Sequence, residues 1–428
     1  MTRGRFVCHF RMTNETSPCH KEIGGEKMDK DCFKWVLNTA SKKDSENSAL
    51  TEFLSTEEIT KVQSYHSRFD KYEPTPLVDL TNLAKHYGLE KIWVKDESYR
   101  LGLNAFKVLG AAYAIGKYLA QKLEVAIEDI SFEQLKSEET KKKLGQITFT
   151  TATDGNHGRA VAWAAQQLGQ KAVVYMPKGS SQERLNAILE TGAQASITDL
   201  NYDDAVRLSA DNATKYGWKI IQDTAWEGYE EVPTWIMQGY ATMAHEIQQQ
   251  LMDQNMDKPT HIFLQAGVGS FAGAILGYYT DLFGENRPVT MVVEPRLADC
   301  IYKSALINDG KPHAVTGDMQ TIMAGLACGE PNPIAWNILR EYGHAYFSCD
   351  DYVTERGMRI LANPLSNDKK VISGESGAVG MGLLSLLLES DKFRELREQL
   401  KLNSSSKVLI ISTEGDTDPD SYRRILWG

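Results

Sequence analysis

The stretch Leu103-Asn104-Ala105-Phe106-Lys107-Val108-Leu109-Gly110 places one lysine among apolar and small residues where a helix begins, continued by Ala111, Ala112, Tyr113 and Ala114. Helical lysines usually snorkel from a wet face among other charges. Here Phe106, Val108 and Leu109 surround Lys107, and the nearest other lysine is Lys117. An amine that is desolvated, or set near positive charge, gives up its proton more easily and becomes a nucleophile. Two further segments give that reading weight. Thr150-Thr151-Ala152-Thr153-Asp154-Gly155-Asn156-His157-Gly158-Arg159 enters a helix-like run, Ala160 to Leu168. Gln265-Ala266-Gly267-Val268-Gly269-Ser270-Phe271-Ala272-Gly273 follows the apolar run Ile262–Leu264. Its glycines let backbone N–H groups converge on a phosphate at the N-terminus of the next helix.

A lysine, an Asn-containing loop and a glycine loop in this order resemble the fold-type II pyridoxal-phosphate enzymes, which include threonine dehydratase, cysteine synthase and the tryptophan synthase β chain. Five motifs narrow the resemblance: Asn104–Lys107, Thr153–Gly158, Asp223-Thr224-Ala225-Trp226-Glu227-Gly228-Tyr229, Met323-Ala324-Gly325-Leu326-Ala327-Cys328-Gly329-Glu330 and Ser412-Thr413-Glu414-Gly415-Asp416-Thr417-Asp418. Together they are similar to the diaminopropionate ammonia-lyase family, from about Tyr72 to the C-terminus. The resemblance implies an α/β fold of two lobes, each a mostly parallel twisted sheet flanked by helices. It also implies pyridoxal 5'-phosphate as cofactor, a homodimer, and elimination of ammonia from D- and L-2,3-diaminopropionate to give pyruvate and a second ammonia.

Alternating strand-like and helical segments independently predict mainly parallel α/β sheets. Ile92–Lys95, Ile147–Thr150, Ala172–Met176, Ala195–Thr198, Lys219–Gln222, Ile262–Leu264, Thr290–Glu294 and Val408–Ser412 read as strands. Lys107–Leu119, Gln182–Thr191, Tyr202–Tyr216 and Trp235–Gln254 read as helices. We expect a polar N-terminal extension over 1–55, a large cofactor-binding domain from 56–107 plus 231–428, and a small domain over 108–230. Met28 opens a second plausible start. In doubly wound sheets ligands bind beyond the carboxyl ends of strands, where all three loops fall.

By resemblance, Lys107 is the Schiff-base lysine, and Gly267, Val268, Gly269, Ser270 and Phe271 form the phosphate loop. Asn156 donates to the phenolic oxygen of the cofactor. Ser412, with Thr413 as second choice, partners the ring nitrogen; a hydroxyl there leaves the pyridine largely unprotonated and favours elimination. Asp154 discriminates most. The matching loop of threonine and serine dehydratases carries a small apolar residue, whereas a carboxylate beside the substrate can bind a second ammonium group or move a proton. The ordinary alternative is an aspartate that stabilises its own turn. The resemblance assigns Cα–H of the D-isomer to Asp154 and that of the L-isomer to Lys107. Asp223 and Thr153 are the other expected substrate contacts, Asp223 having helix capping as its ordinary alternative. His157 reads as packed behind Asn156, Glu294 as the end of a core strand, and Ser373–Ala378 as a helix start lining the cleft. The rival readings are a threonine or serine dehydratase and a cofactor-binding pseudoenzyme.

The 428 residues carry a net charge of −10, 42% apolar and 24% charged residues. That balance disfavours nucleic acid and anionic membranes as partners, both of which select basic patches. No apolar run approaches the roughly 20 residues that span a bilayer, so a cytoplasmic protein is expected; that its partner is a small amino-acid substrate is what the resemblance implies. Six cysteines show no metal spacing and read as reduced thiols; Cys328 lies within the Met323–Glu330 motif and Cys300 precedes it, a pair that the fold could bring together.

Overall fold

The computed structural model describes residues 18–23, 26–39, 41, 48–153 and 155–428, with side chains described from Cys32 onward. Asp154 lies outside the described residues, as do most of residues 1–31.

Among the described residues, thirteen strands fall into three sheets. A hairpin of β1 (Pro18–Ile23) and β2 (Glu26–Asp31) stands apart. The large sheet combines β3 (Phe33–Leu37), β4 (Leu77–Asp79), β5 (Lys91–Asp96), β10 (His261–Gln265), β11 (Val289–Pro295), β12 (Ala345–Cys349) and β13 (Lys407–Ser412). The small sheet holds β6 (Thr148–Ala152), β7 (Lys171–Met176), β8 (Gln194–Ile197) and β9 (Lys219–Ile220). The large sheet runs β3-β12-β11-β10-β13-β5-β4, parallel inside and antiparallel at both edges. The small sheet, β8-β7-β6-β9, is parallel throughout.

The central strands are continuous apolar runs because helices cover both faces. Every residue of β10 and β12 is buried. The helices Val108–Lys122 and Glu231–Asp253 pack tightly at Gly110 and Gly239: a Cβ on Gly110 would meet Tyr240 at 2.6 Å, and one on Gly239 the Leu109 carbonyl at 2.5 Å. One expectation is corrected here. Part of the stretch read as a polar extension belongs to the large sheet, since β3 pairs with β12 and Phe33 is fully buried.

A buried charge cluster joins β5 to the helix Glu231–Asp253. Arg100 donates to both oxygens of Glu246 at 2.7 Å and to Glu97 at 2.8 Å, and Lys95 reaches Glu246 at 2.7 Å. All four side chains are solvent-inaccessible. Arg100 starts the turn that delivers Lys107.

Candidate active site

Lys107 stands at the N-cap of the helix Val108–Lys122, where it can leave the helix surface and enter the cleft between the sheets. Its approach is sewn to the end of β13: Phe106 N–H donates to the Thr413 carbonyl at 3.1 Å, and Gly415 N–H to that of Asn104 at 3.0 Å. Asn104 adopts a left-handed conformation (φ 59°), which asparagine tolerates better than most residues, and its amide reaches Asp416. Lys107 Nζ donates to Asp223 Oδ2 at 2.8 Å, in the only ion pair between described residues that line the cleft.

Asp223 follows β9 and is 3% exposed. Burial alone would raise its pKa; the facing His157 and the Lys107 ammonium outweigh that and hold its carboxyl well below the usual range. Tyr202 donates to its other oxygen at 3.3 Å. His157, read as packing, is indeed buried, with Nε2 2.8 Å from the Ile221 carbonyl, but its Nδ1 sits 3.8 Å from Asp223.

The glycine loop leaves β10 and enters the helix Ser270–Phe283, whose first N–H groups have no intrahelical acceptor. Gly269 has φ +95°, and a Cβ there would stand 3.2 Å from Ile301 and Leu339. A Cβ on Gly267 would fall 3.1 Å from Cys328 Sγ. Such a loop keeps its backbone open to an anion. Gly267, Val268, Gly269, Ser270 and Phe271 all line the cleft, with Lys107, Asn156, Asp223 and Thr413. Ser270 is fixed from behind by Asn332 at 2.8 Å and donates to the Asp223 carbonyl.

Two expected contacts fall elsewhere. Thr153 is buried, and its hydroxyl accepts from Gly155 and Gly158 N–H groups, both at 2.9 Å. It holds the turn and does not line the cleft, a correction that follows from the hydroxyl's reach to its own loop. Ser412 is likewise buried and spends its proton on Ser373 at 2.8 Å. Thr413 instead lines the cleft and accepts from Gln265 Nε2 at 2.8 Å, so its own proton remains available for an acceptor. A ring nitrogen without a proton is such an acceptor, and the residues present fit the pyridoxal phosphate that the sequence implies.

Sequence reasoning assigned no role to Glu414, which accepts from Asn156 Nδ2 and from Ser376 N–H at 3.0 Å. Its place in the motif Ser412–Asp418 was the available signal. Glu294 caps the helix Cys300–Ile307 by accepting from Ile301 and Tyr302 N–H groups, which supports its structural reading. Cys300, Cys328 and Cys349 are free and buried, so Cys300 and Cys328 form no bridge here. Cys32 is disulfide-bonded, which corrects the expectation of six reduced thiols. Among the described residues there is no cluster suited to a metal and no helix long and apolar enough to cross a membrane.

The model of the family "Pyridoxal-phosphate dependent enzyme" matches residues 69–414. The chain is 53% identical to the diaminopropionate ammonia-lyase of Salmonella typhimurium over 396 residues, 92% of this chain and 98% of that one. Two crystal structures of Escherichia coli diaminopropionate ammonia lyase, one with an aminoacrylate-PLP azomethine reaction intermediate and one with D-serine, are both 48% identical. They superpose with TM-scores of 0.84 and 0.85, each over 92% of this chain and 97% of the other.

Proposed function

The chain belongs to the diaminopropionate ammonia-lyases, pyridoxal-phosphate-dependent lyases, and from that premise we propose that it accepts both enantiomers of 2,3-diaminopropionate by using two different bases. The observation that carries the reading is the cleft itself, where Lys107, Asp223 and the glycine loop meet. Pyridoxal phosphate, when bound, supplies an electron sink that makes the substrate's Cα–H acidic. Lys107 would hold its aldehyde carbon, the 267–271 backbone its phosphate, Asn156 its phenolic oxygen and Thr413, in preference to Ser412, its ring nitrogen.

Lys107 then takes the Cα proton of the L-isomer, and Asp154 takes that of the D-isomer from the opposite face. Asp223, held ionised beside Lys107, is the expected contact to a substrate amino group. Water then hydrolyses the released aminoacrylate, so the products are pyruvate and two ammonia. We read residues 56–107 with 231–428 as the cofactor domain, 108–230 as the smaller one, and a homodimer as the working form.

Pyruvate release from D- and L-diaminopropionate, with serine as control, tests this in wild type, Lys107→Ala and Asp154→Asn. Wild type should turn over both isomers, Lys107→Ala neither, and Asp154→Asn should lose chiefly the D reaction. Serine or threonine turned over as well as diaminopropionate would make this a dehydratase, with Asp154 a turn residue.

A further inference from the structure

Glu414 is the carboxylate that the reaction described above leaves without a task. It follows β13, is 2% exposed, and lines the same cleft as Lys107 and Asp223. Its partners are the Asn156 amide, the Ser376 N–H at 3.0 Å and the Thr417 hydroxyl at 3.4 Å, all neutral donors. Among the described residues no lysine, arginine or histidine forms an ion pair with it, whereas Asp223 has Lys107. The neighbouring Glu375 is also 2% exposed, and its Oε2 has no hydrogen-bond partner. A buried anion held by neutral donors alone is stabilised by any cation brought within reach.

We propose that Glu414 is a specificity-determining residue that receives the side-chain ammonium of the substrate, an inference that rests on the function proposed above. The chemistry needs such an acceptor. As the Cα proton passes to a base, the Cα–H electron pair becomes the Cα=Cβ bond. The Cβ–N pair leaves on a nitrogen that already bears three protons, so ammonia departs. A carboxylate facing that nitrogen favours its protonated form and fixes the Cβ–N bond in direction. Serine and threonine offer a neutral hydroxyl at the same place and gain nothing from the charge.

Glu414→Gln separates this from a role in merely holding Asn156. In the holoenzyme the variant should lower kcat/KM for diaminopropionate by about 10-fold or more, as loss of one partner of a buried charge pair does. The serine value should change by less than about 3-fold, since it uses no charge at that site. Glu414→Asp, which keeps the charge, should keep the preference for the diamino substrate. Cofactor absorbance per chain should match wild type in both variants. Equal losses with both substrates, or lost cofactor absorbance, would show that Glu414 only positions Asn156 and would overturn the proposal. Should Glu414→Gln fail to fold, Glu414→Asp decides alone: a kept preference supports the proposal and a lost one ends it. Wild type without a preference for diaminopropionate removes the proposed function and this inference with it; a preference that survives in Glu414→Gln removes the inference only.

Discussion

Replacing Glu246 by glutamine deletes one negative charge from a cluster that water does not reach, and almost nothing else changes in shape. Glu246 faces Arg100 through two bonds of 2.7 Å, Lys95 at 2.7 Å and the Tyr72 hydroxyl at 2.6 Å. The wild-type cluster balances Lys95 and Arg100 against Glu97 and Glu246. The variant leaves two buried cations with one anion. Burial pushes the Glu246 carboxyl up, but Arg100 and then Lys95 outweigh it and hold the group down to about 2 against an ordinary 4.5. At roughly 1.4 kcal/mol per unit, that difference corresponds to about 3 kcal/mol of folding stability at neutral pH. Breaking a buried pair by removing one partner costs about 3–5 kcal/mol in general, so two routes agree. Lys95, for its part, is pushed down by burial in spite of its partners, which shows how little spare compensation the cluster holds. A carboxylate depressed in the folded state contributes its stability above the unfolded pKa and loses it as pH falls through the folded one. The deficit of Glu246→Gln should therefore be full at pH 7 and shrink as pH falls below about 4.5 towards 2. Urea unfolding followed by circular dichroism at several pH values measures it. A deficit below about 1 kcal/mol at pH 7, or one that does not shrink on acidification, would refute the reasoning.

Asp223→Asn removes another carboxylate held below its ordinary range, so its stability deficit should be present at neutral pH and fade on acidification. Thermal melts from pH 7 down to about pH 2 check this: the deficit should hold from pH 7 to about 4 and shrink only below that, and a deficit still undiminished at the acid end would contradict it. Gly269→Ala puts a Cβ at φ +95° and 3.2 Å from Ile301 and Leu339, which should cost about 1–2 kcal/mol and weaken cofactor binding by roughly 10-fold. Cofactor titration of the refolded variant reads it directly; unchanged affinity would mean that the loop does not cradle the phosphate.

How much of this was legible follows from the range over which each residue acts. Lys107 and the glycine loop announce themselves locally, through an apolar setting and a strand–glycine–helix order, and the structure brings both to one cleft. Thr153 and Ser412 were misplaced because a hydroxyl reads the same whether it faces a ligand or its own turn. Adjacent strand residues point to opposite faces, so the choice between Ser412 and Thr413 depends on a register that no local pattern reveals. The buried cluster was invisible for a related reason. Lys95, Glu97 and Arg100 look like an ordinary charged turn until Glu246, 146 residues beyond Arg100, closes on them. β3 was missed because its partner β12 lies some 300 residues away and supplies the neighbours that bury Phe33.

The end of β13 is where the separate parts of the site are held in common. Thr413 receives the backbone of Phe106, Gly415 donates to Asn104, and Glu414 binds Asn156 from the other side of the cleft. Lys107 comes from one segment and Asn156 from another, yet both are referred to the same residues, 413–415. Gly415 leaves no slack in this arrangement, since a Cβ there would stand 2.1 Å from the Asn104 side-chain oxygen. Lys107 and Asn156 thus keep one relative placement. The two-base reaction proposed above depends on that constancy more than on any single contact. The same three residues also carry the hydroxyl proposed for the ring nitrogen and the carboxylate proposed for the second ammonium. On these proposals one short turn serves both tasks through different groups: the backbone of 413 and 415 and the Thr413 hydroxyl place the cofactor, and the Glu414 carboxylate chooses the substrate.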